Sequence, residues 1–213
     1  MRVAIYQHCW LGGPRWEELW TYQLDRIVHH GLYAKCDYIA IGVYGDFQQV
    51  ADLVTTCAHW KKIEVNCMRQ QGGEQDTLRL LWQDAATRQF DAALYCHLKG
   101  VKYPEPYPQV EDWRELMEHF TIDRWQDALG LLRDGFDTVG VNLQTHPEPR
   151  GQHYGGNFFW ITAEHTRRLP DPTKSETHQT VENWPFRVKH RPLSLHDSHV
   201  DHYQELYPRE RYQ

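Results

Sequence analysis

The chain has 213 residues, enough for one α/β domain with a real core and marginal for two. A net charge of −6 argues against a nucleic-acid binder that works by bulk attraction, and no apolar run approaches the roughly 18–20 residues that cross a bilayer. Five scattered cysteines (Cys9, Cys36, Cys57, Cys67, Cys96) with no C-x-x-C pair suggest neither a disulfide framework nor a zinc ribbon. The chain opens directly on strand-like residues with no signal-peptide pattern, so a cytoplasmic protein without a transmembrane segment is expected.

The apolar run Arg2 to Trp10 reads as a first strand, and Leu11-Gly12-Gly13-Pro14 as a turn. Trp16 to Leu32 has helical spacing, with Gly31 where that helix would close. Tyr38 to Tyr44 is continuous and apolar, as in a buried parallel strand. A weaker helix over Phe47 to His59, a short strand over Lys62 to Cys67, a helix over Glu74 to Arg88 and a strand over Phe90 to Cys96 follow. This β-α-β-α-β-α-β order predicts a mostly parallel sheet with helices on both faces. Beyond it, Glu111 to Arg133 is helical, in one piece or two, and Thr138 to Leu143 is a strand. His146 to Gln152 reads as a loop, Asn157 to Ile161 as a strand, Ala163 to Leu169 as a short helix and Thr180 to Pro185 as a helical turn. From Phe186 the chain is polar and His-rich with no clear period. A single domain is expected, with halves 1–101 and 102–190 and a polar tail at 191–213.

In open α/β sheets, ligands bind at the carboxyl ends of the strands. Those ends are Gln7-His8, Tyr44-Gly45-Asp46, the loop up to Glu74, and His97-Leu98-Lys99-Gly100. Lysine is almost never fully buried without a partner, so Lys99 is expected in the crevice as a fixed cation. A merely solvent-exposed strand end is the competing reading. In His153-Tyr154-Gly155-Gly156-Asn157-Phe158-Phe159-Trp160, paired glycines let backbone approach a ligand, and Asn157 and Trp160 offer hydrogen bonds and a stacking face. The same run also suits a turn entering a core strand. His196, His199 and His202 are metal-ligand types, but their spacing fits no zinc signature, and a solvated tail is expected.

Together these runs resemble a group of GT-A-like glycosyltransferases from polysaccharide-synthesis loci and large viruses. Tyr95-Cys96-His97-Leu98-Lys99-Gly100-Val101 matches that group's Y-x-H-x-K-G-V, and Trp113 with Met117 its W-x-x-x-M helix. Asp137 to Asn142 matches D-x-V-G-x-N, and the run from His153 to Trp160 resembles H-Y/F-x-G-N-F-W-W. Glu182-Asn183-Trp184 matches E-x-W. The order holds over residues 3–185.

The resemblance implies a GT-A-like (Rossmann-related) α/β fold, a nucleotide-sugar donor and a glycan acceptor bearing a hydroxyl. Most GT-A enzymes carry a metal-holding Asp-x-Asp where this chain has His97-Leu98-Lys99. No cofactor is therefore certain, and any Mn²⁺ or Mg²⁺ on the donor diphosphate would be held weakly. Tyr6, Gln7, His8 and Asp46 are expected around the base and ribose, Glu74 and Thr77 near the ribose or sugar, and Lys99 with His97 at the leaving phosphate. His153, Tyr154, Gly155, Gly156, Asn157, Trp160 and Trp184 would frame the acceptor, with Glu182 as general base and inversion at C1. The rivals are a non-catalytic carbohydrate-binding protein on the same fold and a metal-dependent hydrolase built on His196–His202.

Overall fold

β1 (Val3–Trp10) is an interior strand of the sheet, and its opening residues Val3 to Ile5 are apolar and buried on both faces. The structure is a computed structural model and describes residues 1–69, 72–147, 151–174 and 181–213. The first half alternates as the sequence predicts. α1 (Trp16–His29) and the short α2 (Leu32–Lys35) precede β2 (Tyr38–Tyr44); α3 (Phe47–Cys57), β3 (Ile63–Arg69), α4 (Glu74–Thr87) and β4 (Ala92–His97) follow. Gly31, at φ +77, closes α1 as a left-handed residue can. Asp46 caps α3, accepting from the Gln49 amide in a reciprocal capping box.

The second half completes the sheet with β5 (Thr138–Gly140), β8 (Phe159–Thr162) and β9 (Pro192–Ser194). Strand order is β3-β2-β1-β4-β8-β5-β9. β1 to β4 are mutually parallel, β8 is antiparallel to β4 and β5, and β9 is parallel to β5. Alternation divides the core in two. Val3, Ile5, Ile41 and Leu94 meet α1 and the later helices, whereas Ala4, Tyr6, Ala40 and Tyr95 meet Leu78 and Leu81 of α4. Gly42 lets α4 lie close, since a Cβ there would fall 2.0 Å from Thr77 Oγ1.

Of the two forms expected over 111–133, the structure has the two-helix one: α5 (Pro108–Glu118) and α6 (Trp125–Arg133), joined by a π-helical turn over His119–Asp123. Two sequence expectations need correction. The strand over 138–143 ends at Gly140, and Asn142, at φ +51, redirects the chain. Beyond it β6 (Leu143–Thr145) leaves the main sheet and pairs with β7 (Gln152–Tyr154). Residues 191–213 are not a solvated tail. β9 joins the sheet, and Ser198, His202 and Tyr207 are buried. Thr180 of the expected turn and residues 148–150 of the expected loop lie outside the described residues. No helix among the described residues is long and apolar enough to cross a membrane.

A buried ionic cluster sets the position of α5. From α1, Arg26 Nε donates to Asp123 at 2.9 Å and Arg26 Nη1 to Glu115 at 2.6 Å. Burial pushes the fully enclosed Glu118 carboxyl up to about 7, against the pull of Arg114 and Arg26.

Candidate active site

β1 and β4 mark the topological switch point, because the chain builds outward through β2 and β3 and then returns to the other side of β1. Their last paired residues are His8 and His97, which share the face that Tyr6 and Tyr95 occupy one step deeper. After His97, Leu98 turns into the core and Gly100, at φ +92, reverses the chain. Lys99 is thereby left facing a cavity of about 350 Å³, shared with His8, Glu74, His97, Lys102 and Tyr103.

Each polar wall is fixed by a partner. His97 Nε2 donates to the Gly156 carbonyl at 2.9 Å, and its ring lies edge-on to Phe158. His8 Nδ1 is 3.0 Å from Thr77 Oγ1. Burial pushes the His8 imidazole down to about 4, only partly offset by Glu74 and Asp76, so it is neutral at pH 7. Glu74 accepts from the Tyr95 hydroxyl at 3.0 Å and from Asn157 Nδ2 at 2.6 Å, tying the start of α4 to the turn before β8. Lys99 Nζ sits 3.6 Å from the centroid of the Trp113 ring. Burial lowers its ammonium to about 8; Glu74 and Glu182 act the other way, and Lys102 adds to the lowering.

A second cavity of about 750 Å³ opens alongside, lined by Trp113, His153, Gly155, Gly156, Glu182 and Tyr203 among others. Tyr203 lines both cavities. Gly156 is held by geometry as well as conformation. It adopts φ +86, and a Cβ there would stand 2.3 Å from Met117 Sδ and 3.1 Å from Trp113 Cε2. Gly156→Ala is therefore expected to destabilise the protein by about 2–4 kcal/mol, left-handed strain adding to overpacking, as urea unfolding would measure.

Seven expected site residues lie elsewhere. Tyr6 is fully buried and hydrogen-bonds Tyr38 and Asp84. Gln7 faces the opposite side of the sheet and donates to Gln23. The Asp46 carboxylate caps α3, and Thr77 is enclosed behind His8. Tyr154, Trp160 and Trp184 are core rings whose polar tips meet Thr138, the Thr121 carbonyl and the Pro170 carbonyl. Trp10, Lys102, Tyr103 and Tyr203, which no motif in the sequence marks as site residues, also line the first cavity.

Neither histidine-bearing segment is arranged as a metal site. At the strand end, the Lys99 ammonium would repel a divalent cation and His97 Nε2 presents a hydrogen. In the C-terminal segment, His196 Nε2 pairs with the Tyr207 hydroxyl and His202 Nε2 with Ser198 Oγ. The described residues hold no group of three or more His, Cys, Asp or Glu placed to bind a metal.

No family model and no curated protein matches the sequence. Solved structures do. One, described as a nucleotide-diphospho-sugar transferase from Desulfovibrio desulfuricans, is 13% identical and aligns over 92% of this chain and 81% of its own with a TM-score of 0.53. The fold is GT-A-like. Another, 4-diphosphocytidyl-2C-methyl-D-erythritol synthase from Anaerococcus prevotii, is 11% identical over 93% of this chain and 90% of its own, with a TM-score of 0.52. At these identities the likeness is one of fold, and the GT-A-like frame alone does not separate sugar transfer from nucleotidyl transfer.

Proposed function

We propose that the protein is a glycosyltransferase that moves a sugar from a nucleoside-diphosphate sugar to a hydroxyl of a glycan acceptor. The observation that carries this reading is Lys99, an ammonium fixed at the switch point of a GT-A-like sheet beside a cavity. In the transfer, the acceptor oxygen bonds to C1 as the bond from C1 to the phosphate oxygen breaks. Negative charge then builds on the leaving diphosphate, and Lys99 offsets it. His97 braces the turn, while neutral His8 and the Glu74 carboxylate contact the donor's polar groups. Glu182, in the adjoining cavity, takes the acceptor proton, and direct displacement inverts the anomeric centre. His153, Gly155 and Gly156 frame the acceptor, and Asn157 ties their turn to Glu74.

The test offers UDP-, GDP- and dTDP-sugars to the purified protein, with and without EDTA. Release of nucleoside diphosphate from one donor class, undiminished by EDTA, is the expected result. That donor should also raise the melting temperature, because it binds the folded state. Pyrophosphate release from a nucleoside triphosphate plus a sugar phosphate would assign nucleotidyl transfer instead. Glycan binding with no donor binding or turnover would leave a binding protein on this fold.

A further inference from the structure

The helix bearing Trp113 and Met117 has no part in the transfer just described, yet it supplies the surface that touches Lys99. We propose that Trp113 is the positioning residue for Lys99, its indole face seating the ammonium between the two cavities while Gly156 and His202 hold the indole still. The catalytic consequence of that seat rests on the glycosyltransferase reading; the seat itself does not.

Trp113 is largely buried and held on several sides. The His202 ring lies parallel to it at 5.3 Å and 8°, and the Tyr203 ring meets it edge-on at 5.1 Å. The glycine at 156 also lets the indole edge come close, since a Cβ there would stand 3.1 Å from Trp113 Cε2, with Met117 Sδ nearer still at 2.3 Å. Three stretches far apart in sequence, Lys99-Gly100, Trp113-to-Met117 and Gly155-Gly156, thus converge on one side chain.

The chemistry suits an ammonium that must later bind a diphosphate. An aromatic face attracts a cation through its quadrupole, but far less strongly than a close carboxylate in a dry site would. Lys99 is therefore oriented without being neutralised. The charged and titratable groups around it are Glu74 from α4, Glu182, Lys102 from the following turn, and His202 with Tyr203 from the C-terminal segment. His202 does not compete as a cation at neutral pH, since burial, reinforced by Lys99, pushes it down to about 4. His97 keeps Nε2 directed at the Gly156 carbonyl.

Lysine-labelled protein, followed by nuclear magnetic resonance, reports the titration of Lys99, its signal identified by its loss in Lys99→Arg. Trp113→Leu keeps apolar burial and removes the π face, so the Lys99 pKa should fall by about half a unit to one unit. Trp113→Phe retains a ring and should shift it less, which keeps the test sound if the leucine variant folds poorly. In an active enzyme the alkaline limb of kcat/KM should move by the same amount. An unchanged Lys99 titration in both variants overturns the seat, even if the wild-type protein turns over a donor. A shifted titration in a protein that turns over no donor leaves the seat standing and removes the glycosyltransferase reading.

Discussion

Lys99→Ala is expected to lower donor turnover by about 10²–10³ and to weaken donor binding, with the fold intact. The size follows from removing one preorganised positive group aimed at developing charge in a partly dry cavity. The sign of the pH dependence follows from the lysine's own titration. Burial brings Lys99 from 10.5 down to about 8, so the active ammonium predominates at pH 7 and is lost as pH rises through about 8. The kcat/KM profile, which reports the free enzyme, should therefore fall on its alkaline side near pH 8. A bound diphosphate stabilises the ammonium, so the limb in kcat should lie at higher pH than the limb in kcat/KM. Lys99→Arg keeps its charge to far higher pH, and should retain part of the activity while losing the limb near 8. Steady-state kinetics over pH 6 to 10 (about the range in which a protein lysine of this kind titrates) reads all of this. Wild-type turnover by Lys99→Ala would remove the charge argument.

The turn that presents Lys99 was legible because its signal is local. A buried run ends abruptly in His97, a residue destined for the core follows, and Gly100 reverses the chain. Other expectations failed where the deciding partner is distant in sequence. Tyr6 and His8 share a strand face, and nothing in the strand itself says that the core ends between them. Covering by α4 decides it: Asp84 accepts from Tyr6, and Thr77 meets His8 at the cavity wall. Trp160 and Trp184 have rings as suited to sugars as to a core, and the carbonyls that bind their indoles, those of Thr121 and Pro170, come from other segments. Residues 191–213 show no helical or strand period because side chains hold them. His196 stacks on Phe120, Tyr207 on Tyr212 and His202 on Trp113, while Ser198 bonds Asn142. Periodicity cannot detect such packing, so Tyr203, which lines both cavities, carried no signal in the sequence.

Glu182→Gln is expected to lower kcat by about 10²–10⁴ while leaving donor affinity nearly unchanged. The split follows from location. Glu182 lines the larger cavity beside Gly155 and Gly156, whereas Glu74 lines the smaller one. Loss of the Glu182 carboxylate therefore removes a proton acceptor on the acceptor side; because it also withdraws charge that holds up the Lys99 ammonium, donor affinity is compared at about pH 6, where Lys99 is protonated in both proteins. Glutamine preserves size and hydrogen bonding but cannot take a proton, so a collapse in turnover at constant donor melting-temperature shift would assign the base. Glu182→Ala supplies a second readout. If the missing function is proton removal, formate should restore part of the turnover by diffusing into the cavity, and the gain should saturate with concentration. A merely structural glutamate would show no such rescue. Full turnover by Glu182→Gln with donor binding intact would place the base elsewhere on the same wall, where Asp201 and His153 face the same space.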